Sequence, residues 1–519
     1  MRDARCNLAG GDGADFDTAV CLTGYGRFHY EIVALCALCV TTVGFQNGLS
    51  SYIFPAAQCE LQLTSFELGL LNVSFLAGGV VSSFLWGNLA DLGGRRRILA
   101  STHLLNALAT TLCTLIPLTE SLLVSRLLNG FLIGAPGSII FSYVAEFQPP
   151  RYRPASVCLC GLSFTFSWLL LPLLASAVLP LDVDLSLGRF LVLTPWRLFV
   201  ILLVVPEVLV GAWFLRMPES PRFYAAKGEA GEALKVLRRM YSENTGRSSE
   251  TFPVRRLVGE GATETRSADD GDVACRSRTV RVLKQMLSQG KELFRPPLLT
   301  VTVVFGLGLW FPELFIRFEH YHQLHPNGTI TVKELAALNY AKNVTCEPSL
   351  DASVIHSTVA MALSAMAYNA VSGWLSTRIT VKAISTFSML AGGLGAASIY
   401  FLRTAAQNLA AACVFQATMV TANMAVGSVG VELFPTRVAG MAMGLVICAG
   451  RVGAVFSNVI FGYLVDGHCE VPIFVVAAVV LAGAGLCSTV PGKRRGGETI
   501  PKKKSLVEDR DVVDVAVIS

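Results

Sequence analysis

Apolar residues in this chain gather in long blocks rather than spreading with the periodicity of a soluble fold. There are twelve blocks of roughly 20 residues, each enough for a helix to cross a hydrocarbon core about 30 Å thick. They lie at 29–53, 67–89, 98–117, 122–144, 155–179 and 196–216, then at 298–315, 353–375, 383–402, 409–430, 438–464 and 471–490. Only 15% of the 519 residues are charged, against roughly 25% in soluble domains. With no water in the bilayer core, backbone N–H and C=O groups must pair inside helices or closed barrels. The expected class is therefore an all-α membrane protein of twelve transmembrane helices, with the lipid bilayer as its constant partner.

The spans divide the chain into an N-terminal segment (1–28), a six-helix half (29–216), a central loop (217–297), a second six-helix half (298–490) and a tail (491–519). The first 28 residues contain no short apolar run with a small-residue cleavage site, so the first span is expected to act as the insertion signal. With both termini in the cytosol, the inner loops receive Arg95–Arg97, Arg151, Arg153, Arg378, Lys382 and Arg437, and the tail adds further Lys and Arg. The outer loops after spans 1, 3 and 11 contain no Lys or Arg, as the positive-inside rule requires. The sequons "NGT" at Asn327 and "NVT" at Asn343 fall in the outer loop 316–352 and mark both asparagines as glycosylation sites. A third sequon, at Asn72, lies inside span 2, out of reach of glycosylation.

The central loop opens with "GEAGEALKVLRRMY", whose apolar residues recur at helical spacing and predict a surface helix. Residues 245–277 are rich in Ser, Gly and charge and predict a segment without structure. An internal repeat is also present. "EFQPPR" at 146–151 returns as "ELFPTR" at 432–437, an offset of 286 residues. Gly87 shifted by the same amount lands on Gly373, which again ends a span. Two motifs at one offset argue for duplicated halves in the same orientation.

"GNLADLGGRRR" at 87–97 fits the G-x-x-x-D-x-x-G-R-[RK] signature of the major facilitator superfamily, and "PESPRF" at 218–223 resembles the signature after span 6 of its sugar and organic-ion porters. More narrowly, "FSYVAEF", "GLGLWFPELF" and "VELFPTR" resemble segments of the synaptic vesicle glycoprotein 2 family, in order. The chain departs from these relatives in several places. Its loop after span 7 is shorter, Gln46 and Asn47 stand where relatives often carry an acid, and Thr377 replaces the second-half counterpart of Asp91. Span 5 lacks the G-P-x-x-G-G run of drug antiporters. The resemblance implies the major facilitator fold and a cytoplasmic gate built from Gly87, Asp91, Gly94, Arg95, Arg96, Glu146, Arg151, Glu432 and Arg437. Physically, Gly87, Gly93 and Gly94 allow a sharp turn, Asp91 can accept from helix N-terminal amides, and the arginines can reach Glu146. The blander reading, that the arginines only fix topology, stays open beside it.

Polar residues within spans carry the site expectations, because buried charge is costly and tends to be functional. Arg451 lies mid-span in span 11 and reads as a cavity-facing cation for an anionic group, or else as half of a structural pair with Glu207 the first partner to test. Glu207 in span 6 and His103 in span 3 read as structural. The resemblance places spans 1, 4, 7 and 10 around a central cavity, which makes Gln46, Asn47, Arg126, Trp310 and Asn423 further substrate-binding candidates; Trp310 fits an interfacial belt equally well. Gly130-x-x-x-Gly134 and Gly440-x-x-x-Gly444 read as close helix packing. Of the outer-loop cysteines 59, 346 and 469, Cys346 and Cys469 are the candidate disulfide. Nothing suggests a metal site, a cofactor, a nucleic-acid partner or an enzyme. The expected function is secondary-active transport of small polar organic solutes or organic ions by alternating access, in the plasma membrane or an intracellular vesicle membrane. A non-transporting scaffold or receptor on the same fold is the alternative.

Overall fold

The structure is a computed structural model that describes residues 13–61, 63–116, 118–181, 185–187, 191–257, 321, 352–376, 378–433, 436–464 and 470–489. Strand β1 (Gly13–Ala14) and helix α1 (Phe16–Leu22) precede the first span. That span is built from α2 (Arg27–Gly48) and α3 (Ser50–Leu61), parted only at Leu49. Helices α4 (Ser65–Gly93), α5 (Arg95–Leu115), α6 (Thr119–Phe147), α7 (Arg153–Val178) and α8 (Pro195–Arg216) complete the N-terminal half. A short hairpin, β2 (Leu185–Leu187) with β3 (Leu191–Leu193), joins α7 to α8.

Local chemistry sets the boundaries. Thr64 and Glu67 form a reciprocal capping box that starts α4. Gly94 alone separates α4 from α5, in a left-handed-region conformation (φ +97°) that a side chain rarely adopts. Prolines open α7 and α8 at positions where the missing N–H has no helical partner anyway.

In the central loop, α9 (Pro221–Ala226), α10 (Ala230–Thr245) and β4 (Arg256–Leu257) are ordered. Helix α10 is the surface helix that the sequence predicts. The expectation of no structure from 245 onward needs correction: a 3-10 turn at Ser249–Thr251 and strand β4 form there, while 258–277 lie outside the described residues. The cause is two apolar side chains in that polar stretch, Phe252 and Val254, which bury against α10 and the N-terminal segment. β4 pairs in parallel with β1. Asn244 completes the junction: its side chain donates to the carbonyls of Thr23 and Gly24 and accepts from the Phe28 amide. We call this the cap, and its face of the bundle the cap side.

The C-terminal half contributes α11 (Ala352–Leu375), α12 (Val381–Ile399), α13 (Ala405–Leu433), α14 (Thr436–Leu464) and α15 (Glu470–Thr489). Helices thus follow eleven of the twelve expected spans. The remaining block, 298–315, lies outside the described residues. Seven of the helices are long and apolar enough to cross a membrane on length and composition alone.

The halves meet along two seams, α4 against α14 and α7 against α11. Two apolar cores reflect this arrangement. One belongs to the N-terminal half and joins the cap-side ends of its helices to Phe16, Leu237, Met240 and Phe252 of the cap. The other, on the far side, draws on both halves and packs Tyr52, Ile53 and Ala57 with Val354, Ile355, Phe415 and Phe461.

Candidate functional site

A polar network runs through the middle of the N-terminal half. Arg126 on α6 is 1% exposed. One guanidinium nitrogen donates to the Gln46 carbonyl oxygen (3.1 Å) and the Ser50 hydroxyl (2.8 Å), and another reaches Gln46 Oε1 (3.4 Å). The Gln46 amide in turn donates to Glu207 Oε1 (2.7 Å), and Asn106 donates to Glu207 Oε2 (2.8 Å). Asn129 extends the chain to Asn106 (2.8 Å) and Thr110 (2.6 Å). The Arg126 guanidinium also lies over the Phe75 ring, 4.4 Å from its centroid. Gln46 and Arg126, expected separately as substrate contacts, are therefore tied to each other and to Glu207. Arg126 Nε alone among its nitrogens has no hydrogen-bond partner among the described residues.

A second polar group sits in the C-terminal half. Thr421 on α13 donates to Asn369 Oδ1 (2.5 Å), and the Asn369 amide reaches Thr165 of α7 (3.5 Å) across the seam. Asn47 and Asn423 are half-buried, and Asn47 donates back to the Val43 carbonyl of its own helix. His103 is buried and bonds the Leu99 carbonyl and the Thr42 hydroxyl, in keeping with a structural role.

Around the loop expected to act as a gate, the start of α5 is held by a different carboxylate from the one the sequence suggested. The amides of Arg95 and Arg96 at the start of α5 are received by Glu219 at 2.9–3.1 Å, not by Asp91. Asp91 is a solvent-exposed partner of Arg95 at 3.6 Å. The reason is geometric: α4 stays helical through Asp91 up to Gly93, so the Asp91 side chain leaves the α5 terminus uncovered, and the cap residue Gly94 has no side chain to offer. Glu219 fills the vacancy and meets the positive end of the helix dipole. Arg95 forms an ion pair with Glu146, which also accepts from the Ser220 hydroxyl. Arg96 donates to the carbonyls of Phe214 and Leu215 at the end of α8. Arg151 instead stacks its guanidinium on Tyr152. Glu432 lies on α13 and Arg437 on α14, with side chains outside what the structure describes.

Sequence reasoning missed Glu219 as the acceptor of the α5 amides, although "PESPR" places an acid just past a span and beside a helix start. Trp310, Asn327, Asn343, Cys346 and Cys469 lie outside the described residues.

Arg451 is half-buried on α14 and crosses the seam, its Nη1 donating to the Gly79 carbonyl of α4 (2.5 Å). The pairing with Glu207 needs correction: Glu207 binds Gln46 and Asn106 within its own half, and no ion pair joins it to Arg451 among the described residues. Gly130 and Gly134 do serve close packing: a Cβ at either would overlap the Phe75 carbonyl or the Ser82 hydroxyl of α4.

Comparison with known proteins fits this picture. A family model described as Major Facilitator Superfamily matches residues 36–328. Human synaptic vesicle glycoprotein 2B is 22% identical, with 92% of this chain and 86% of that protein aligned. Rat synaptic vesicle glycoprotein 2A is 25% identical over 64% of this chain, which spans only 45% of its length. Among solved structures, a partially occluded inward-open conformation of the xylose transporter XylE from E. coli superposes with a TM-score of 0.61 at 15% identity, covering 90% of this chain and 100% of that one.

Proposed function

The chain belongs to the major facilitator superfamily, and from that premise we propose that it is a secondary-active transporter of small polar organic solutes or organic ions, working by alternating access. One observation carries the reading. A charged network, Arg126 with Gln46 and Glu207, is buried among the membrane-spanning helices, where charge is costly unless it has work to do. Arg126 Nε, without a hydrogen-bond partner among the described residues, would turn to a solute only once the network is opened.

Substrate contacts are assigned to Arg126 and Gln46 at the network, to the half-buried Asn47 and Asn423, and to Trp310. Arg451 would select an anionic group once the seam opens and its guanidinium leaves Gly79. Gly87, Asp91, Gly94, Arg95, Arg96, Glu146, Arg151, Glu432 and Arg437, joined by Glu219, form the gate on the cap side. That side faces the cytosol together with both termini, and the 316–352 loop faces outward. Replacing Asn327 and Asn343 with Gln removes an endoglycosidase-sensitive mass shift; unchanged mobility on a gel sinks the orientation.

The function is tested by reconstitution into proteoliposomes and an uptake screen across anionic, cationic and neutral solutes, with and without a pH gradient. Saturable uptake of one class, lost in Arg126→Gln, is the expected result. A folded protein that moves none of them overturns transport and leaves the scaffold or receptor reading in its place.

A further inference from the structure

The α4–α14 seam runs in register from the far side inward. At its outer end the two backbones touch: a Cβ on Gly69 would stand 3.1 Å from the Gly462 Cα and 3.3 Å from the Asn458 carbonyl oxygen. Deeper in, Ala454 packs with Phe75 and Leu76. One turn further, Arg451 meets Gly79. The facing residues of α14 (462, 458, 454 and 451) step by three to four, one stripe of a helix. Gly462, Asn458 and Ala454 occupy it before the arginine.

The place that receives Arg451 is shaped by missing side chains. A Cβ on Gly79 would overlap the guanidinium, with Cζ only 2.8 Å away. Gly134 and Gly137 of α6 line the same notch, their Cβ positions 3.4 and 4.0 Å from the Arg451 nitrogens. The guanidinium therefore passes α4 and reaches the next helix of the opposite half. The Gly79 carbonyl that receives it also accepts from the Ser82 hydroxyl (3.0 Å), which holds the acceptor side of the notch in place. A charge-assisted bond in a low-dielectric setting is strong and directional. Here it ties two bodies rather than two parts of one.

We propose that Arg451 is a positioning residue, the bolt that holds the far side closed. Separating α4 from α14 at Gly69 and Gly462 requires the seam to open toward its interior, and the guanidinium must leave the glycine notch before the two halves part. The proposal rests on the alternating-access reading, since only halves that move need a bolt.

The test reads far-side closure directly. Val354 on α11 is 2% exposed within the core that both halves share. In Val354→Cys protein purified in detergent, the rate of maleimide labelling at residue 354, measured against the parent protein without that cysteine, reports opening. Arg451→Gln and Gly79→Ala should each raise the rate roughly tenfold, the scale of one lost charge-assisted bond. Gly79→Ala is the sharper variant, because it keeps the arginine and only evicts it from the notch. Arg451→Lys, which keeps the charge without the planar fork, should fall between.

Unchanged or slower labelling in both Arg451→Gln and Gly79→Ala overturns the proposal. So does loss of a monodisperse protein in both, which would make the contact a requirement for folding rather than for closure. No solute is present during labelling, so the labelling rates stand independently of a failed uptake screen. Uptake with unaltered labelling would remove the bolt and keep the transporter.

Discussion

Arg126 and Arg451 both carry a guanidinium into the packed membrane-spanning helices, and the two are housed in opposite ways. Arg126 is enclosed by its own half: Gln46, Ser50 and Phe75 surround it, and Gln46 links it to Glu207. Arg451 finds its acceptor on the other half, in a notch of α4 and α6. The contrast separates two uses of a costly charge. One is compensated inside a single half, so its loss is felt as stability as well as in solute binding. The other is compensated across a seam, so its loss is felt as a change in which conformation prevails.

The largest expected effect tests the first half of that contrast. Arg126→Met leaves Gln46 and Ser50 without their donor and removes the buried cation that balances Glu207, and should cost about 3–5 kcal/mol. A steep fall in thermal unfolding temperature in detergent is the readout, and Glu207→Gln in the same protein should recover much of it. Without such recovery, the two residues are not energetically coupled. Arg451→Gln should cost less, about 1.5–3 kcal/mol, the scale of a bond to a charged group. A loss as deep as that of Arg126→Met would erase the distinction between the two arginines.

The same distinction returns on a smaller scale at the start of α5. Glu219 is 6% exposed and receives the amides of Arg95, Arg96 and Ser220. Glu219→Gln should cost on the order of 1 kcal/mol, typical of a weakened helix cap. Asp91, whose side chain is 73% exposed, pairs with Arg95 at 3.6 Å. Asp91→Asn should cost no more than about 0.5 kcal/mol, as for other exposed i,i+4 pairs. Denaturation of the two variants side by side orders them, and a larger loss for Asp91→Asn would reverse the assignment of the capping carboxylate.

Which of these features the sequence disclosed follows from how far each depends on tertiary contact. Spans are written in composition, because lipid demands a long apolar helix whatever its neighbours are. Gly130 and Gly134 announced a close approach by their spacing alone. Arg95 and Glu146 were legible as charged residues of short, dense motifs at span ends. Glu219 was not, because its role depends on α8 ending beside the start of α5, a proximity that no local pattern records. The depth of Arg451 could be counted along the chain, but its acceptor could not be read. A backbone carbonyl has no letter of its own, and the charge-pairing logic that nominated Glu207 looked for an acid. Phe252 and Val254 were overlooked because composition averages hide two anchoring side chains in a polar segment.

The clasp between the N-terminal segment and the central loop has a consequence for how the protein is made. Asn244 reaches back to Phe28 across 216 residues of chain, and β1 waits still longer for β4. At a synthesis rate of roughly 5–20 residues per second, the opening segment stays unpartnered for some ten seconds or more while six helices enter the membrane. Only when β4 clears the ribosome does the first half acquire its finished surface, close to the moment when synthesis of the second half begins. The clasp thus acts as a punctuation mark in biosynthesis, sealing one bundle before the next is laid down.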